Sequence, residues 1–362
     1  MTTPITRRAP RFRDPVLLGV LAVAAAISVA AYAWAVASGT TLDYLDAVSH
    51  LLIAERLLEA STPGAGQLGS VWLPLPHLLA APFALYQPLL RSGFGGCAIS
   101  MVSYVVATGC LYRAALGLTG RRAAGLTAAL VFAANPNVLY MQSTPMTELP
   151  LLAGASAAVA CIVSWCRTDD HRHLLRAALA TLLTTLVRYE GWVLLALLLL
   201  VVGWQSWRRR SALDRRQRWY RTRADLVLYG LLSSSGVAGW LAWNAIIFGD
   251  PLNFLRGEFA NSQLWVSADE PAVGDWGVSA ATYLWALLDV IGPVMLVAAL
   301  LGLACCAWRT RLRSEAAAPV ALLGFLPFYV YALYAGKRPL HVEQLNGDLY
   351  NVRFALLTCS PP

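Results

Sequence analysis

Three polar clusters interrupt an otherwise apolar chain: Asp43, Asp46 and His50; Glu148; and Arg188-Tyr189-Glu190. Asp43, Asp46 and His50 stand at i, i+3 and i+7, so a helix over 43–60 carries two carboxylates and an imidazole on one face. Such a pair can do acid–base work: one carboxylate takes the proton of an incoming hydroxyl while the other positions it or holds a divalent cation. The same residues also suit a solvated helix face with an aspartate cap. Glu148 opens an apolar stretch, where it either complements the helix dipole or supplies a second acid. Arg188 can pair with Glu190 or Glu148, or fork onto a phosphate. A last group of cations, Lys337, Arg338 and Arg353, with His341 between them, is suited to a phosphate or pyrophosphate. Asp289, inside an apolar run, is a further candidate.

The elements that must position these groups are membrane helices. Of 362 residues, 58% are hydrophobic and 13% charged, the latter about half of the ~25% usual in soluble domains. Runs of spanning length recur over 16–37, 95–117, 123–141, 149–166, 174–188, 191–207, 224–247, 278–307 and 316–335. The expectation is an all-α, polytopic transmembrane bundle of about nine spans. The apolar stretch 72–90 carries Pro74, Pro76, Pro82, Pro88 and His77, and reads as re-entrant or interfacial.

Charge orients the bundle. With a basic N-terminus over 1–14 in the cytoplasm and 72–90 not crossing, 21 of the 28 Lys and Arg residues fall inside. The outer loops are then 38–94, 142–148, 189–190, 248–277 and 336–353, and all three clusters open on the non-cytoplasmic side. The net charge of +8 and the arginine run over 208–223 fit a topogenic loop beside anionic lipid better than nucleic acid. The seven cysteines form no metal spacing. The location expected is the cell membrane, multi-pass.

The order of these motifs resembles the C-type membrane glycosyltransferases, the protein mannosyltransferase and aminoarabinose transferase-like group (glycosyltransferase family 39-like). A first span is followed by an acidic surface helix. Then come the segment Leu73-Pro74-Leu75-Pro76-His77, a Gly120-Arg121-Arg122-Ala123 turn, Asn135-Pro136, and an acidic turn. The resemblance covers about 15–353. It implies a polyprenyl-phosphate sugar donor, an acceptor glycan, lipid or protein, and chemistry outside the cytoplasm. By position it makes Asp46 the first catalytic candidate, Asp43 the second and Glu148 the second acidic motif. His50, His77, Arg188, Glu190, Lys337, Arg338, His341 and Arg353 are the candidates for substrate contact. A divalent cation between Asp46 and Glu148 is compatible with it. The group's usual adjacent acidic pair is replaced by Asp46-Ala47. Members usually continue with more spans, so the resemblance predicts a shortened product. Two other readings remain: a transporter or lipid flippase, and a non-catalytic protein of the same architecture.

Overall fold

The computed structural model describes residues 14–264, 266–267, 269–310 and 314–357. The basic N-terminus and the end of the apolar stretch begun at Phe354 lie mostly outside them. Among the described residues the chain is all-helical, with one isolated backbone bridge between His341 and Tyr350. Six helices are long and apolar enough to cross a membrane: α1 (Pro15–Ser38), α5 (Phe94–Thr119), α8 (Glu148–Thr168), α10 (Glu190–Arg209), α11 (Arg215–Phe248), and Ala317–Tyr334, which combines α15 (Ala317–Ala321) and α16 (Phe325–Tyr334). Two bent pairs raise this to eight: α6 (Arg122–Ala133) with α7 (Pro136–Gln142), bent by 64°, and α13 (Trp276–Ile291) with α14 (Pro293–Thr310), bent by 103°.

The ninth expected span, 174–188, is α9 (His171–Thr185), of 15 residues. At 1.5 Å per residue it extends only about 22 Å, short of the ~30 Å hydrocarbon core. It packs mainly against α8 and α11, burying Leu174, Ala177, Ala178, Thr181, Thr184 and Thr185. Small residues allow the close approach. A Cβ at Gly154 of α8 would meet the Thr184 side chain, and one at Gly191 of α10 would fall on the Thr184 carbonyl. Gly191→Ala is therefore expected to destabilise the protein by about 1–3 kcal/mol through overpacking, read as an earlier thermal unfolding in detergent; an unchanged transition would contradict this packing.

The bundle has two chemically distinct ends. At one, arginines close the helix termini. Arg167 of α8 reaches the Gly117 carbonyl of α5, and Arg209 of α10 reaches the Cys166 carbonyl (2.6 Å). Asp225, buried in α11, accepts from Arg210 and Ser206 (each 2.7 Å). At the other end lie the N-termini of α8 and α10, the C-terminus of α9, and the segments 39–93 and 336–357. The three sequence clusters share this second end.

The segment 72–90 forms α3 (Leu75–Ala84) and α4 (Gln87–Arg91), both too short to span. Pro76 and Pro88 sit in first turns, where no amide donor is needed. Leu78, Leu79, Leu85 and Tyr86 are exposed, as suits an interfacial segment. Its N-terminal side is tied to the α9–α10 turn, where Tyr189 donates to the Val71 carbonyl (2.8 Å) and the Leu75 amide to the Leu186 carbonyl (3.0 Å).

The run expected as a single span over 278–307 is broken at Gly292-Pro293. Both ends of α13 meet the site-end segment 334–344. Trp276 stacks on Tyr334 at 4.1 Å, and Asp289 accepts from Gln344 at 3.3 Å. The first half of α13 thus packs along α16, through Trp276 on Tyr331 and Tyr334 and Tyr283 on Tyr329, and α14 leaves it at 103°. Asp289 is exposed near the end of α13, three residues before the break at Gly292.

Candidate functional site

Five segments far apart in sequence converge on one ion network. The first contribution comes from α2 (Leu45–Glu59), whose first turn carries Asp46. The helix starts two residues later than expected, so Asp43 precedes it. Asp43 is exposed, with only a long 3.5 Å contact from the Tyr140 hydroxyl, and does not share the Asp46–His50 face. Glu148 is the first residue of α8, and Glu190 the first of α10. Arg188 lies in the turn between α9 and α10. Arg338 follows α16, and Arg353 belongs to the 3-10 turn Val352–Leu357.

Arg353 donates from Nη2 to Asp46 Oδ2 (2.7 Å) and from Nε to Glu148 Oε1 (3.1 Å). Arg188 donates from Nη1 to Glu148 Oε1 (3.0 Å) and Thr147 Oγ1 (2.9 Å), and from Nη2 to Glu190 Oε1 (3.1 Å). Glu190 Oε1 also pairs with Arg338 Nη1 (3.1 Å) and accepts from the Tyr329 hydroxyl (2.9 Å). Three guanidiniums thus face three carboxylates, and formal charge cancels. The guanidiniums of Arg338, Arg353 and Arg188 lie 5.0, 5.4 and 5.8 Å from the centre of the Phe354 ring, and Arg353 also covers Tyr44 at 4.6 Å. These are cation–π distances. Burial works against the charge on Arg188, but the neighbouring Glu190 and Glu148 outweigh it and hold the guanidinium protonated.

Exposure separates the members. The Glu190 and Glu148 side chains are 0% and 5% exposed, while Asp46 is 46% exposed. Asp46 is the most exposed of the three carboxylates. Glu148 Oε2 and Glu190 Oε2 are buried without a hydrogen bond.

The residues do not fit the divalent cation considered between Asp46 and Glu148. The Arg353 guanidinium bridges these two carboxylates, and a metal ion there would first have to displace it. No cluster of three or more metal-type ligands occurs among the described residues.

The remaining candidates fall outside the network. His50 and His77 are buried and share a 2.9 Å hydrogen bond between Nδ1 and Nε2, with Trp72 4.5 Å from the His50 ring centre. One ring donates and the other accepts, which suits two neutral imidazoles. Burial, reinforced by His77 and then by Arg188 and Arg353, holds His50 well below the usual histidine range. Burial lowers His77 to about 4, against a raising contribution from the Leu73 backbone. Lys337 is exposed and makes no ion pair among the described residues.

His341 clasps two loops, through Glu270 and Asp348. Its Nε2 lies 2.6 Å from Glu270 Oε1 and its Nδ1 2.9 Å from Asp348 Oδ1. Both nitrogens can donate only when the ring is protonated. Burial opposes the charge, but hydrogen bonds to Asp348 and Glu270 outweigh it and raise the ring above the usual histidine value. A raised folded value means stabilisation that is complete below about pH 6.5 and lost as pH rises through the folded value. Wild type should therefore unfold at a higher temperature than His341→Gln at about pH 5.5, with the gap closing by about pH 9; a gap that widens instead contradicts a charged clasp.

Sequence reasoning did not single out Thr147, Tyr329, Phe354 or Tyr44, which hold the arginines in place. Phe354 and Tyr44 are sequence neighbours of candidate residues. Nothing in the spacing marks Tyr329.

No family model and no curated protein matches the chain. The reading of the site accordingly rests on its own chemistry.

Proposed function

We propose that the protein is a multi-pass membrane glycosyltransferase. It moves a sugar from a polyprenyl-phosphate donor to an acceptor hydroxyl on a glycan, lipid or protein at the non-cytoplasmic face of the cell membrane. The observation that carries this reading is Asp46: a half-exposed carboxylate paired to a buried arginine network, at the end of the bundle opposite the Arg-rich helix termini. The positive-inside distribution supports a cytoplasmic N-terminus and an outward-facing site.

In this mechanism Asp46 accepts the acceptor hydroxyl's proton. The oxygen bonds to the anomeric carbon as the bond from that carbon to the lipid phosphate oxygen breaks, inverting the centre. The phosphate leaves as an anion that needs no protonation, so the nearby guanidiniums matter more than a general acid. Arg353 and Arg338 are the cations for this, and Phe354 keeps them in register.

A second reading, a transporter or lipid flippase, is favoured by one feature. The two broken helix pairs meet at their breaks, where Asn135 and Asn137 side chains donate to the Val290 carbonyl (3.2 and 3.1 Å). Broken helices that meet inside a bundle are a transporter trait. The test is to reconstitute the protein in liposomes with radiolabelled polyprenyl-phosphate sugars and an added acceptor. Label passing to the acceptor supports the transferase. Labelled lipid crossing the bilayer with its sugar still attached supports the transporter, and neither event leaves a non-catalytic role.

A further inference from the structure

The six charged groups are not held equally. Glu148 Oε1 is shared by Arg188 and Arg353, and Glu190 Oε1 by Arg188, Arg338 and the Tyr329 hydroxyl. Asp46 has a single ion pair, through Oδ2 to Arg353 Nη2, and is the half-exposed member. Arg353 is fixed independently of Asp46: its Nε holds Glu148, and its guanidinium plane lies against Tyr44 and Phe354. An anion arriving at this end meets Arg338, whose side chain is 20% exposed, and beside it Arg353 Nη2, whose partner Asp46 is the half-exposed carboxylate it displaces.

We infer that the Asp46–Arg353 ion pair is an exchangeable latch, in which a phosphate anion, carried as a diester by a lipid-phosphate sugar and as a monoester by the lipid phosphate left after transfer, takes Arg353 Nη2 and releases the Asp46 carboxylate. The anion gains a charge-assisted hydrogen bond on a preset guanidinium. Asp46 stays in the first turn of α2, where the helix N-terminus favours its charge. Resting on the transferase reading, the consequence is an order of events: donor binds first, and only then is Asp46 free to take the acceptor's proton. This couples the two substrates without any movement of a helix.

The latch makes an unusual demand. Removing the carboxylate should tighten phosphate binding, because Asp46 competes for the guanidinium. Asp46→Asn in the full-length protein in detergent is expected to bind a short-chain polyprenyl monophosphate about tenfold more tightly than wild type, at the lower end of what a hydrogen bond to a charged group contributes. Asp46→Ser provides the same test should the amide find a new partner. Adding Arg353→Lys, which keeps the charge but loses the fork, should abolish the gain. Inorganic phosphate run in parallel separates the sources: equal tightening assigns the latch to the phosphate alone, and tightening only with the lipid form assigns it to a membrane-attached headgroup. Unchanged or weaker binding in both Asp46 variants overturns the latch, as does failure of both phosphates to bind any form. Tightening in a protein that transfers no sugar keeps the latch and removes the transferase. Transfer without tightening does the reverse.

Discussion

Asparagine in place of Asp46 is expected to lower sugar transfer by about 10²–10⁴-fold, the usual contribution of a positioned general base. The substitution conserves shape and keeps an oxygen that can still accept from Arg353, so folding should be little affected at a site that is 46% exposed. What is lost is the charge that takes a proton. Asp43→Asn is the natural contrast: Asp43 precedes α2, is exposed, and has only a 3.5 Å contact with Tyr140. Its transfer rate should stay close to wild type. Initial rates with a labelled donor, at saturating donor and acceptor, measure both. Equal losses in the two variants, or full activity in Asp46→Asn, would remove Asp46 from the mechanism. Glu148→Gln is the less informative change, because it withdraws a shared counter-charge from Arg188 and Arg353 and disturbs stability together with rate.

Arg188→Ala should be among the most destabilising single changes in the chain. Its guanidinium joins the first residues of α8 and α10 from the end of α9, so three helices are cross-linked through one side chain. Breaking a buried ion pair from one side typically costs about 3–5 kcal/mol, since an uncompensated charge is left behind. Here Glu148 keeps Arg353 and Glu190 keeps Arg338, so the expected loss lies near 3 kcal/mol. Arg188→Lys should recover only part of it, because one ammonium cannot fork onto two carboxylates. Thermal or denaturant unfolding in detergent measures both variants. A shift within about 0.5 kcal/mol, the scale of an ordinary surface change, would mean that the network contributes specificity and little stability.

Much of this arrangement was legible in the sequence because membrane proteins segregate charge. Arginine-rich loops mark one end, and that alone groups Asp46, Glu148 and Arg188 at the other. Prolines in 72–90 likewise announce a segment that does not cross as one helix. The pairings were not legible. Arg353 reaches Asp46 across 307 positions, and no local rule joins residues so far apart. Helical periodicity also misplaced Asp43, because the pattern is equally regular whether the helix begins at 43 or at Leu45. His50 and His77 show the opposite difficulty. Histidine in an outer loop suggests contact with substrate, yet in the fold the two rings hydrogen-bond to each other and are buried beside Trp72. The break at Gly292-Pro293 could be anticipated from the dipeptide, but not that Trp276 and Asp289 would find partners in the segment 334–344.

Helix α13 ties the exposed surface of the bundle to the arginine network. Its outer surface presents Trp276, Leu284 and Trp285, side chains that settle where lipid tails give way to headgroups. Its inner surface presents Tyr283, stacked 5.2 Å from Tyr329, whose hydroxyl holds Glu190. A change at the exposed tryptophans of α13 is therefore carried through Tyr283 and Tyr329 to Glu190 and the two guanidiniums it holds.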